Sequence, residues 1–476
     1  MHRATKIVAT LGPASSSKEV LERMIRAGVD VVRLNFSHGT AQDHIDRATL
    51  VREVAQAAGK EVAIMADLQG PKIRVGKFEG GKIMLEAGQK FVLDAGAREL
   101  GTTERVGLDY KELPRDVRPG DTLLLNDGLL KLTVDEVRGE EVHTTVVIGG
   151  ELSNNKGINK AGGGLTAPAL TGKDMEDIKT AMSFQCQYLA ISFPKNATDM
   201  EMARQLANVA GEPWRHKPAL IAKIERTEAI PHLEAILRAS DGIMVARGDL
   251  AVEVGAAGVP ALQKRMIKMA REMDRVVITA TQMMESMIIN PVPTRAEVSD
   301  VANAVLDGTD AVMLSAETAA GRYPVETVEM MAAVCVEAER AEEIALDASF
   351  ANKKFGRIDQ SIAMGALFTA YHLGCKAILA LTESGSTALW MSRHKIHVPI
   401  YGLTSQVASQ RRMALYRNVA PLLMPAHADR DEALKQAEAM LVEMGVLKPG
   451  DTYAITCGEP MGYPGGTNML KVCQVG

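Results

Sequence analysis

The most reactive side chains of this sequence come at the ends of short apolar segments. Lys223 and Glu225 close one such segment, and Asp249 follows the next. Two carboxylates from neighbouring strands can chelate one hard divalent cation, with substrate oxygens and water completing an octahedron, so this pair predicts a Mg2+ site. Lys223 points the same way as Glu225 if the segment is a strand, because the two are two residues apart. Together with Arg33 and Arg74, Lys223 makes a cationic cluster, which beside Mg2+ is typical of phosphoryl transfer.

Eight short apolar segments alternate with amphipathic helical stretches along most of the chain. Each segment is rich in Val, Ile, Leu and Met, as a strand buried on both faces is. Eight such units predict a (β/α)8 barrel, a fold in which function lies at the carboxyl ends of the strands. We therefore expect the polar residues that end these strands to meet at one mouth. The predicted strands are residues 6–10, 30–34, 62–67, 188–192, 220–224, 242–246, 276–279 and 311–314.

More than a hundred residues of different character separate the third and fourth of these strands. The strand candidates here are short, and the links between them carry turn residues at 119–121 and 126–128. This pattern predicts a small β-barrel inserted into a βα loop, and Pro168 marks the point where the chain returns to the (β/α)8 barrel. Residues 171–174 then resemble a capping box that opens a helix. The strand candidates of the insertion are residues 91–93, 122–125, 131–134 and 142–147.

A second alternating pattern begins near Ser361, after a helical segment from Val325 to about Leu346. It contains five strands, which are too few for a barrel and fit an open, doubly wound α/β sheet. The predicted domains are residues 1–69 and 169–345 for the barrel, 70–168 for the inserted β-barrel and 346–476 for the C-terminal α/β domain. The five strands are residues 377–382, 399–404, 419–424, 452–456 and 469–475.

Composition excludes several other classes of protein. Lys plus Arg number 54 and Asp plus Glu 59, so the formal charge is 54 − 59 = −5, which argues against a globally basic nucleic-acid binder. The hydrophobic fraction of 46% is ordinary for a globular protein. Five scattered cysteines argue against a disulfide framework or a thiolate zinc site. The sequence shows neither a signal peptide nor an apolar run of about 20 residues, so we expect a cytoplasmic protein without a membrane span.

Five motifs in order resemble those of pyruvate kinase, and the similarity covers essentially the whole chain. Several motifs at the right spacing are far more specific than any one of them alone. The resemblance implies transfer of the phosphoryl group of phosphoenolpyruvate to ADP, giving pyruvate and ATP in the last step of glycolysis. It also implies a homotetramer. The motifs are RLNFSHG at 33–39, KIE at 223–225, MVARGDL at 244–250, ATQM at 280–283 and MLSAETA at 313–319.

The resemblance also implies roles for individual residues. Glu225 and Asp249 hold Mg2+, Lys223 lies on the path of the phosphoryl group, and Arg33 and Arg74 hold the phosphoryl end. The remaining implied contacts are the backbone N–H groups of Arg247, Gly248 and Asp249 on the substrate carboxylate, Thr281 and Ser315 in binding and protonation, and Asn35, His38, Arg74 and Lys173 on the nucleotide. The inserted domain closes as a lid that excludes water.

One departure from the family concerns K+. Many members hold K+ with residues that match Asn35, Ser37 and Asp67 and with the carbonyl that follows, here that of Leu68. Those members commonly read DTKGPE, whereas this chain reads DLQGPK at 67–72. The ammonium of Lys72 near Asp67 would supply the positive charge internally, so we predict that K+ is not required. The alternative is that Lys72 points away, which would leave K+ dependence intact.

The C-terminal domain carries hydroxyl residues after its first strand, in a loop that resembles the family's effector phosphate site. Hydroxyls and backbone N–H groups at a strand-to-helix turn suit a phosphate. The terminal loop 458–466 has no Arg or Lys and carries Glu459, so we predict a monophosphate effector, a sugar phosphate or a nucleotide such as AMP, over fructose 1,6-bisphosphate. The predicted effector residues are Thr382, Ser384, Gly385, Ser386 and Thr387.

Two other functions remain open at this point. A Mg2+-dependent (β/α)8 aldolase or lyase that acts on a pyruvate enolate would share the Glu225–Asp249 pair, but would need neither the inserted lid nor Lys223. A catalytically silent effector-binding protein is the second alternative. The complete set of Lys223, Glu225, Asp249 and Thr281 argues against it.

Overall fold

Eight parallel strands close into a barrel in the computed structural model, which describes residues 2–341 and 354–476. The strands are β1 (Lys6–Thr10), β2 (Val31–Asn35), β3 (Ala63–Asp67), β12 (Tyr188–Ile191), β13 (Ala219–Ile224), β14 (Gly242–Ala246), β15 (Val276–Ala280) and β16 (Ala311–Leu314), numbered along the whole chain. They pair in that order around the ring, and β16 returns to β1. The predicted (β/α)8 barrel is confirmed.

Helices surround the barrel, and most of the longer ones begin at a polar N-cap. Thr171 accepts a hydrogen bond from Asp174 N while Asp174 accepts one from Thr171 N, which is the predicted capping box. No helix among the described residues has the length and hydropathy to cross a membrane. The helices are α1 (Lys18–Ala27), α2 (Ala41–Ala57), α4 (Gly172–Ser183), α5 (Ala197–Gly211), α6 (Leu233–Ala239), α7 (Arg247–Val254), α8 (Val259–Glu272), α9 (Arg295–Asp307), α10 (Ala316–Ala319) and α11 (Pro324–Arg340).

Alternate side chains of each barrel strand face two different apolar layers. Ile7 points outward and packs with the helices, whereas Val8 points into the barrel. The inward layer continues through the floor of the barrel to buried residues of the C-terminal region, such as Met391. Both faces of the ring are therefore covered. This explains why the middle of each strand is apolar on both faces and why polar side chains occur mainly at the strand ends.

The inserted region consists of β4 (Lys82–Leu85), β5 (Lys90–Asp94), β6 (Arg105–Gly107), helix α3 (Leu113–Asp116), β7 (Thr122–Leu125), β8 (Leu130–Arg138), β9 (Glu141–Ile148), β10 (Gly150–Ser153) and β11 (Ile158–Lys160). These strands form a six-stranded sheet, β11-β7-β8-β9-β5-β6, and a two-stranded sheet, β10-β4, around one apolar core. The predicted small barrel is thus built from two sheets. The chain changes sheet at Gly149, where a Cβ atom would lie 2.3 Å from Leu85 O.

The C-terminal region is an open sheet of order β19-β18-β17-β20-β21, with β21 antiparallel to β20 and the other pairs parallel. The predicted boundary between residues 345 and 346, and the predicted helix end near Leu346, lie outside the described residues. The elements are α12 (Ile358–His372), β17 (Ile378–Leu381), α13 (Ser386–Ser392), β18 (Ile400–Thr404), α14 (Val407–Met413), β19 (Val419–Leu423), α15 (Arg430–Glu443), β20 (Thr452–Gly458) and β21 (Thr467–Gln474).

A buried ion pair fastens this sheet to the floor of the barrel. The guanidinium of Arg393 contacts both carboxylate oxygens of Asp310, and both side chains are almost wholly buried. Asp310 also accepts the backbone N–H groups of Val277 and Arg417, so one carboxylate joins a barrel strand to the C-terminal sheet. The contact lies at the opposite end of the barrel from the polar mouth.

Candidate active site

Lys223 stands at the centre of the polar cluster in the barrel mouth. Its Nζ donates to Ser192 Oγ at 2.7 Å and lies 3.0 Å from Glu225 Oε1 and 3.2 Å from Asp67 Oδ1. Burial lowers the pKa of Lys223, but Asp67 and Glu225 outweigh burial and hold it above its ordinary value. The side chain is therefore an ammonium ion held among two carboxylates and a hydroxyl.

Arg33 joins the same cluster from β2. Its Nε donates to Asp67 Oδ2 at 2.6 Å, and its Nη1 donates to Thr10 Oγ1 at 3.1 Å. Burial raises the pKa of Asp67, yet Arg33 and Lys223 reverse that effect and hold it below its ordinary value. One buried carboxylate thus sets the positions of two cations that face the mouth.

Glu225 and Asp249, the predicted Mg2+ ligands, come from neighbouring strand ends. Glu225 is buried, and its Oε2 accepts the backbone N–H of Phe193 at 2.8 Å. Asp249 lies in the first turn of α7. Burial, and to a smaller extent the charge of Asp249, raise the pKa of Glu225 against the opposing effect of Lys223. The described residues contain no group of three or more His, Cys, Asp or Glu side chains that could hold a metal ion.

Lys72 and Arg74 belong to the segment that leads from the barrel into the inserted region. Lys72 Nζ lies 3.8 Å from Asp249 Oδ1, so its ion-pair partner is the predicted Mg2+ ligand and not Asp67. The Nη1 of Arg74 donates to Asn155 O at 2.9 Å. Lys72 therefore reaches the mouth, whereas the contact of Arg74 is with the inserted region.

A cleft of about 520 Å3 separates the barrel mouth from the inserted region. Its walls include Lys72 and Asp249 together with Asp127 and Gly128 of the inserted region. Thr281 and Ser315 also line it. The cleft therefore brings together Lys72, one of the two predicted metal ligands (Asp249) and the predicted proton network, whereas Lys223, Arg33 and Glu225 are not among the residues that line it.

Thr281 and Arg247 are locked together at the start of α7. Thr281 Oγ1 accepts the backbone N–H of Gly248 at 2.8 Å, and its φ of +69° lies in the left-handed region, which is rare for a β-branched residue. Arg247 Nη1 donates to Asp300 at 2.7 Å, while Nη2 donates to Thr281 O at 2.6 Å. The Arg247 side chain is therefore engaged within the barrel, and only its backbone is available to a ligand. Strain of this kind clusters at functional sites.

Ser315 follows β16 and is held through its backbone. Its N–H donates to Glu317 Oε2 at 2.6 Å, and the other oxygen of this buried glutamate accepts Met284 N at 3.2 Å. The hydroxyl of Ser315 lies on the wall of the cleft, in reach of a bound molecule.

The predicted nucleotide residues Asn35 and His38 and the predicted K+ ligand Ser37 lie at the end of β2 and in the turn after it. Asn35 Oδ1 accepts the backbone N–H of Ser37 at 3.1 Å, and His38 N donates to Asn35 O at 3.2 Å. Lys173 Nζ donates to Phe36 O at 2.7 Å, so the start of α4 meets this turn. The Leu68 carbonyl, the other predicted K+ ligand, accepts the hydroxyl of Ser192 at 2.7 Å.

The predicted effector loop lies beside a small cleft of about 70 Å3 in the C-terminal region. Thr382 lines it together with Glu383 and Tyr463 of the terminal loop. The other predicted residues are engaged with neighbouring groups. Gly385 N donates to Thr382 Oγ1 at 3.0 Å, Ser384 Oγ donates to Ser386 Oγ at 3.1 Å, and the Thr387 and Thr467 hydroxyls are 2.9 Å apart.

Sequence reasoning missed Ser192, which contacts both Lys223 and the Leu68 carbonyl. The signal was present, because the predicted fourth strand ended at residue 192 and strand ends are where barrel function lies. It also missed the second role of Asp174, whose Oδ1 accepts Gly70 N at 3.0 Å. This bond connects the segment that enters the inserted region to α4, the first helix after that region. No local sequence pattern predicts that contact.

Comparison with known proteins identifies the family of the chain. Residues 2–328 match the family model of the pyruvate kinase barrel domain, and residues 360–473 match that of the pyruvate kinase alpha/beta domain. The chain is 51% identical to pyruvate kinase II of Salmonella typhimurium and 50% identical to a pyruvate kinase of Buchnera aphidicola, each over 99% of both chains. A pyruvate kinase crystal structure from Cryptosporidium parvum superposes with a TM-score of 0.93 at 33% identity, covering 100% of this chain and 96% of the other. This chain therefore belongs to the pyruvate kinase family, and it transfers the phosphoryl group of phosphoenolpyruvate to ADP.

Proposed function

We propose that this reaction takes place at the barrel mouth, with Lys223 offsetting the charge of the phosphoryl group during transfer. The observation that carries the proposal is the buried cluster in which Lys223 Nζ lies within 3.2 Å of both Glu225 and Asp67. A desolvated, fixed ammonium needs no reorganisation when charge develops beside it. Arg33, held by the same Asp67, is the second fixed cation of the cluster and is assigned to the phosphoryl oxygens.

Glu225 and Asp249 are the residues that we assign to Mg2+. Two carboxylates fit this ion, because proteins usually hold Mg2+ with one or two carboxylates plus substrate oxygens and waters. The two side chains come from neighbouring strand ends, and an ion held by both would offset the repulsion by which Asp249 contributes to the raised pKa of Glu225. When bound, Mg2+ neutralises oxygens of the substrate carboxylate and phosphoryl group.

The substrate carboxylate is assigned to the start of α7. The backbone N–H groups of Arg247 and Asp249 are near a helix N-terminus, which favours an anion, whereas the N–H of Gly248 donates to Thr281 Oγ1 and would have to exchange that partner for the substrate. In the reaction, the bond between the enol oxygen and phosphorus breaks while a β-phosphate oxygen of ADP bonds to phosphorus. The enolate then takes a proton at its terminal carbon, and Thr281 and Ser315 are the hydroxyls that we assign to that delivery.

The nucleotide is assigned to the turn after β2 and to the inserted region. Asn35 and His38 lie at that turn, and Lys173 donates to Phe36 O within it. Arg74, also assigned to the nucleotide, donates to Asn155 O of the inserted region. Closure of the inserted region, about hinges near residues 70–71 and 168, would exclude water from the transfer. The domain limits 70–168 and 346–476, a homotetramer and a cytoplasmic location complete the proposal.

Catalysis without K+ is the expected result for this chain. Asp67 already faces two cations, Arg33 and Lys223, and the ammonium of Lys72 adds a positive charge 3.8 Å from Asp249. Pyruvate formation from phosphoenolpyruvate, ADP and Mg2+ should therefore change less than about twofold when KCl is added to K+-free buffer. Lys72→Glu should lose about tenfold of its rate in K+-free buffer and recover with KCl, because about 1.4 kcal/mol of lost charge stabilisation is tenfold in rate.

Lys77→Glu is the matched control for this charge change, since Lys77 is exposed on the same segment. It should behave as the unsubstituted protein does in both buffers. A requirement for KCl in the unsubstituted protein would remove the Lys72 hypothesis and leave the kinase assignment intact. Absence of pyruvate in both buffers from folded protein would instead contradict the assignment of the reaction to this mouth.

A monophosphate is the effector that we assign to the C-terminal cleft. Glu383 lines the cleft, and the described residues around it include no Arg or Lys, so a second phosphate would meet a negative charge without a cation to offset it. A sugar monophosphate or AMP should lower the concentration of phosphoenolpyruvate for half-maximal rate by at least about fivefold, the lower range of allosteric coupling. Thr382→Val should weaken that response. Equal or stronger activation by fructose 1,6-bisphosphate would contradict the assignment.

A further inference from the structure

Ser192, just after β12, makes two hydrogen bonds whose directions are both determined. Its Oγ accepts from Lys223 Nζ at 2.7 Å, because an ammonium has no lone pair to offer. Its single proton therefore goes to Leu68 O, which lies 2.7 Å away. The residue is buried, with 1% of its surface exposed, so water cannot replace either bond without rearrangement. The hydroxyl thus holds one ammonium proton of Lys223 in a single direction.

Phe193, the next residue, binds Glu225, one of the two carboxylate partners of Lys223. Its backbone N–H donates to Glu225 Oε2 at 2.8 Å, and its φ of +58° is uncommon for a residue with a bulky side chain. The guanidinium of Arg226 lies 5.3 Å from the centre of the Phe193 ring. The turn at 192–193 therefore contacts Lys223 with its first residue and Glu225 with its second.

The same turn lies against both chain segments that connect the barrel to the inserted region. In the segment that enters the inserted region, a Cβ atom on Gly70 would lie 2.6 Å from Ser192 Cβ, so the two backbones approach as closely as glycine permits. In the segment that returns to the barrel, Leu165 O accepts from Arg226 Nη1 at 3.2 Å and Ala167 O accepts from Lys195 Nζ at 3.1 Å. A displacement of the entering segment therefore reaches the turn directly, and a displacement of the returning segment reaches it through Arg226 and Lys195.

We propose that Ser192 is a positioning residue for phosphoryl transfer, which acts by fixing the ammonium of Lys223 relative to the segment that enters the inserted region. The inference rests on the role proposed for Lys223. The competing explanation is that the hydroxyl only satisfies the buried carbonyl of Leu68, which is a structural task. The two differ in one measurable respect, since only the first requires Lys223.

Ser192→Ala should lower kcat by about tenfold to a hundredfold, the effect of losing a hydrogen bond to a charged group. The KM for phosphoenolpyruvate should change less than about threefold, because Arg33 and the start of α7 are untouched. Ser240→Ala is the matched control. Ser240 is equally buried, donates its hydroxyl to Ile236 O at 2.7 Å and precedes β14 at the other end of the barrel. Its kcat should stay within about twofold.

A double-mutant cycle with Lys223→Met separates the two explanations. If Ser192 acts through Lys223, adding Ser192→Ala to Lys223→Met should cost less than about twofold in kcat. An equal cost in both backgrounds would overturn the proposal and assign the hydroxyl a structural role. Near-normal turnover of Lys223→Met alone would instead contradict the role of Lys223, so the two failures are distinguishable. If Ser192→Ala does not fold, Ser192→Cys, which keeps the volume and a weaker donor, serves in the same cycle.

Discussion

Lys223→Met should lower kcat by roughly a hundredfold to a thousandfold, the range for removing one preorganised donor from a developing charge. The substitution keeps an unbranched side chain of similar length and removes only the ammonium. Binding of phosphoenolpyruvate should change much less, because Arg33 keeps its bond to Asp67 and the backbone groups at the start of α7 are unaffected. Steady-state kinetics with varied phosphoenolpyruvate would separate the two effects.

Lys6→Met provides the matched control for the loss of a buried strand lysine. Lys6 begins β1 at the opposite end of the barrel, is 6% exposed and donates to Val419 O at 2.7 Å. It should reduce the melting temperature and leave kcat within about threefold. A Lys223→Met protein with near-normal kcat would contradict the assigned path of the phosphoryl group. Comparable losses of kcat in both variants would show that the effect is one of folding.

The ends of the barrel strands were predictable to within one or two residues, and so was the meeting of Lys223, Arg33 and Asp67 at one end of the barrel. Arg74, expected in the same cationic cluster, instead contacts Asn155 O of the inserted region. Parallel strands covered on both faces must be apolar throughout, so the first polar residue after each segment marks its end. Lys223 and Glu225 then share a direction because of the two-residue period of a strand. This reasoning also brings Arg33 and Asp67 to the same cluster, where the structure has them in contact.

Contacts that depend on loop conformation were not predictable. The sequence analysis expected Lys72 near Asp67, but its partner is Asp249, because the path of the chain after Gly70 decides where a long side chain reaches. The engagement of Arg247 with Asp300 and Thr281 joins two neighbouring βα units, and no local pattern encodes it. The two sheets of the inserted region depend in the same way on the break at Gly149.

Glu225→Gln should raise the Mg2+ concentration for half-maximal rate by at least about tenfold, since loss of outer-shell partners alone costs metal sites about 10–100-fold in affinity. The amide can still accept the N–H of Phe193, so the local fold should persist while the charge is lost. Lys223 loses one of its two carboxylate partners, which should also lower kcat at saturating Mg2+. Calorimetric titration with Mg2+ in the absence of substrate would measure the binding directly.

Glu339→Gln is the matched control, because Glu339 is also a buried glutamate that accepts backbone N–H groups, those of Ala4 and Thr5, at 2.9 and 2.7 Å. It belongs to α11, outside the mouth, and should leave the Mg2+ midpoint within about twofold. An unchanged midpoint in Glu225→Gln would remove Glu225 from the metal site. The cluster would then be explained by charge balance alone, since Glu225 and Asp67 together offset the charges of Lys223 and Arg33.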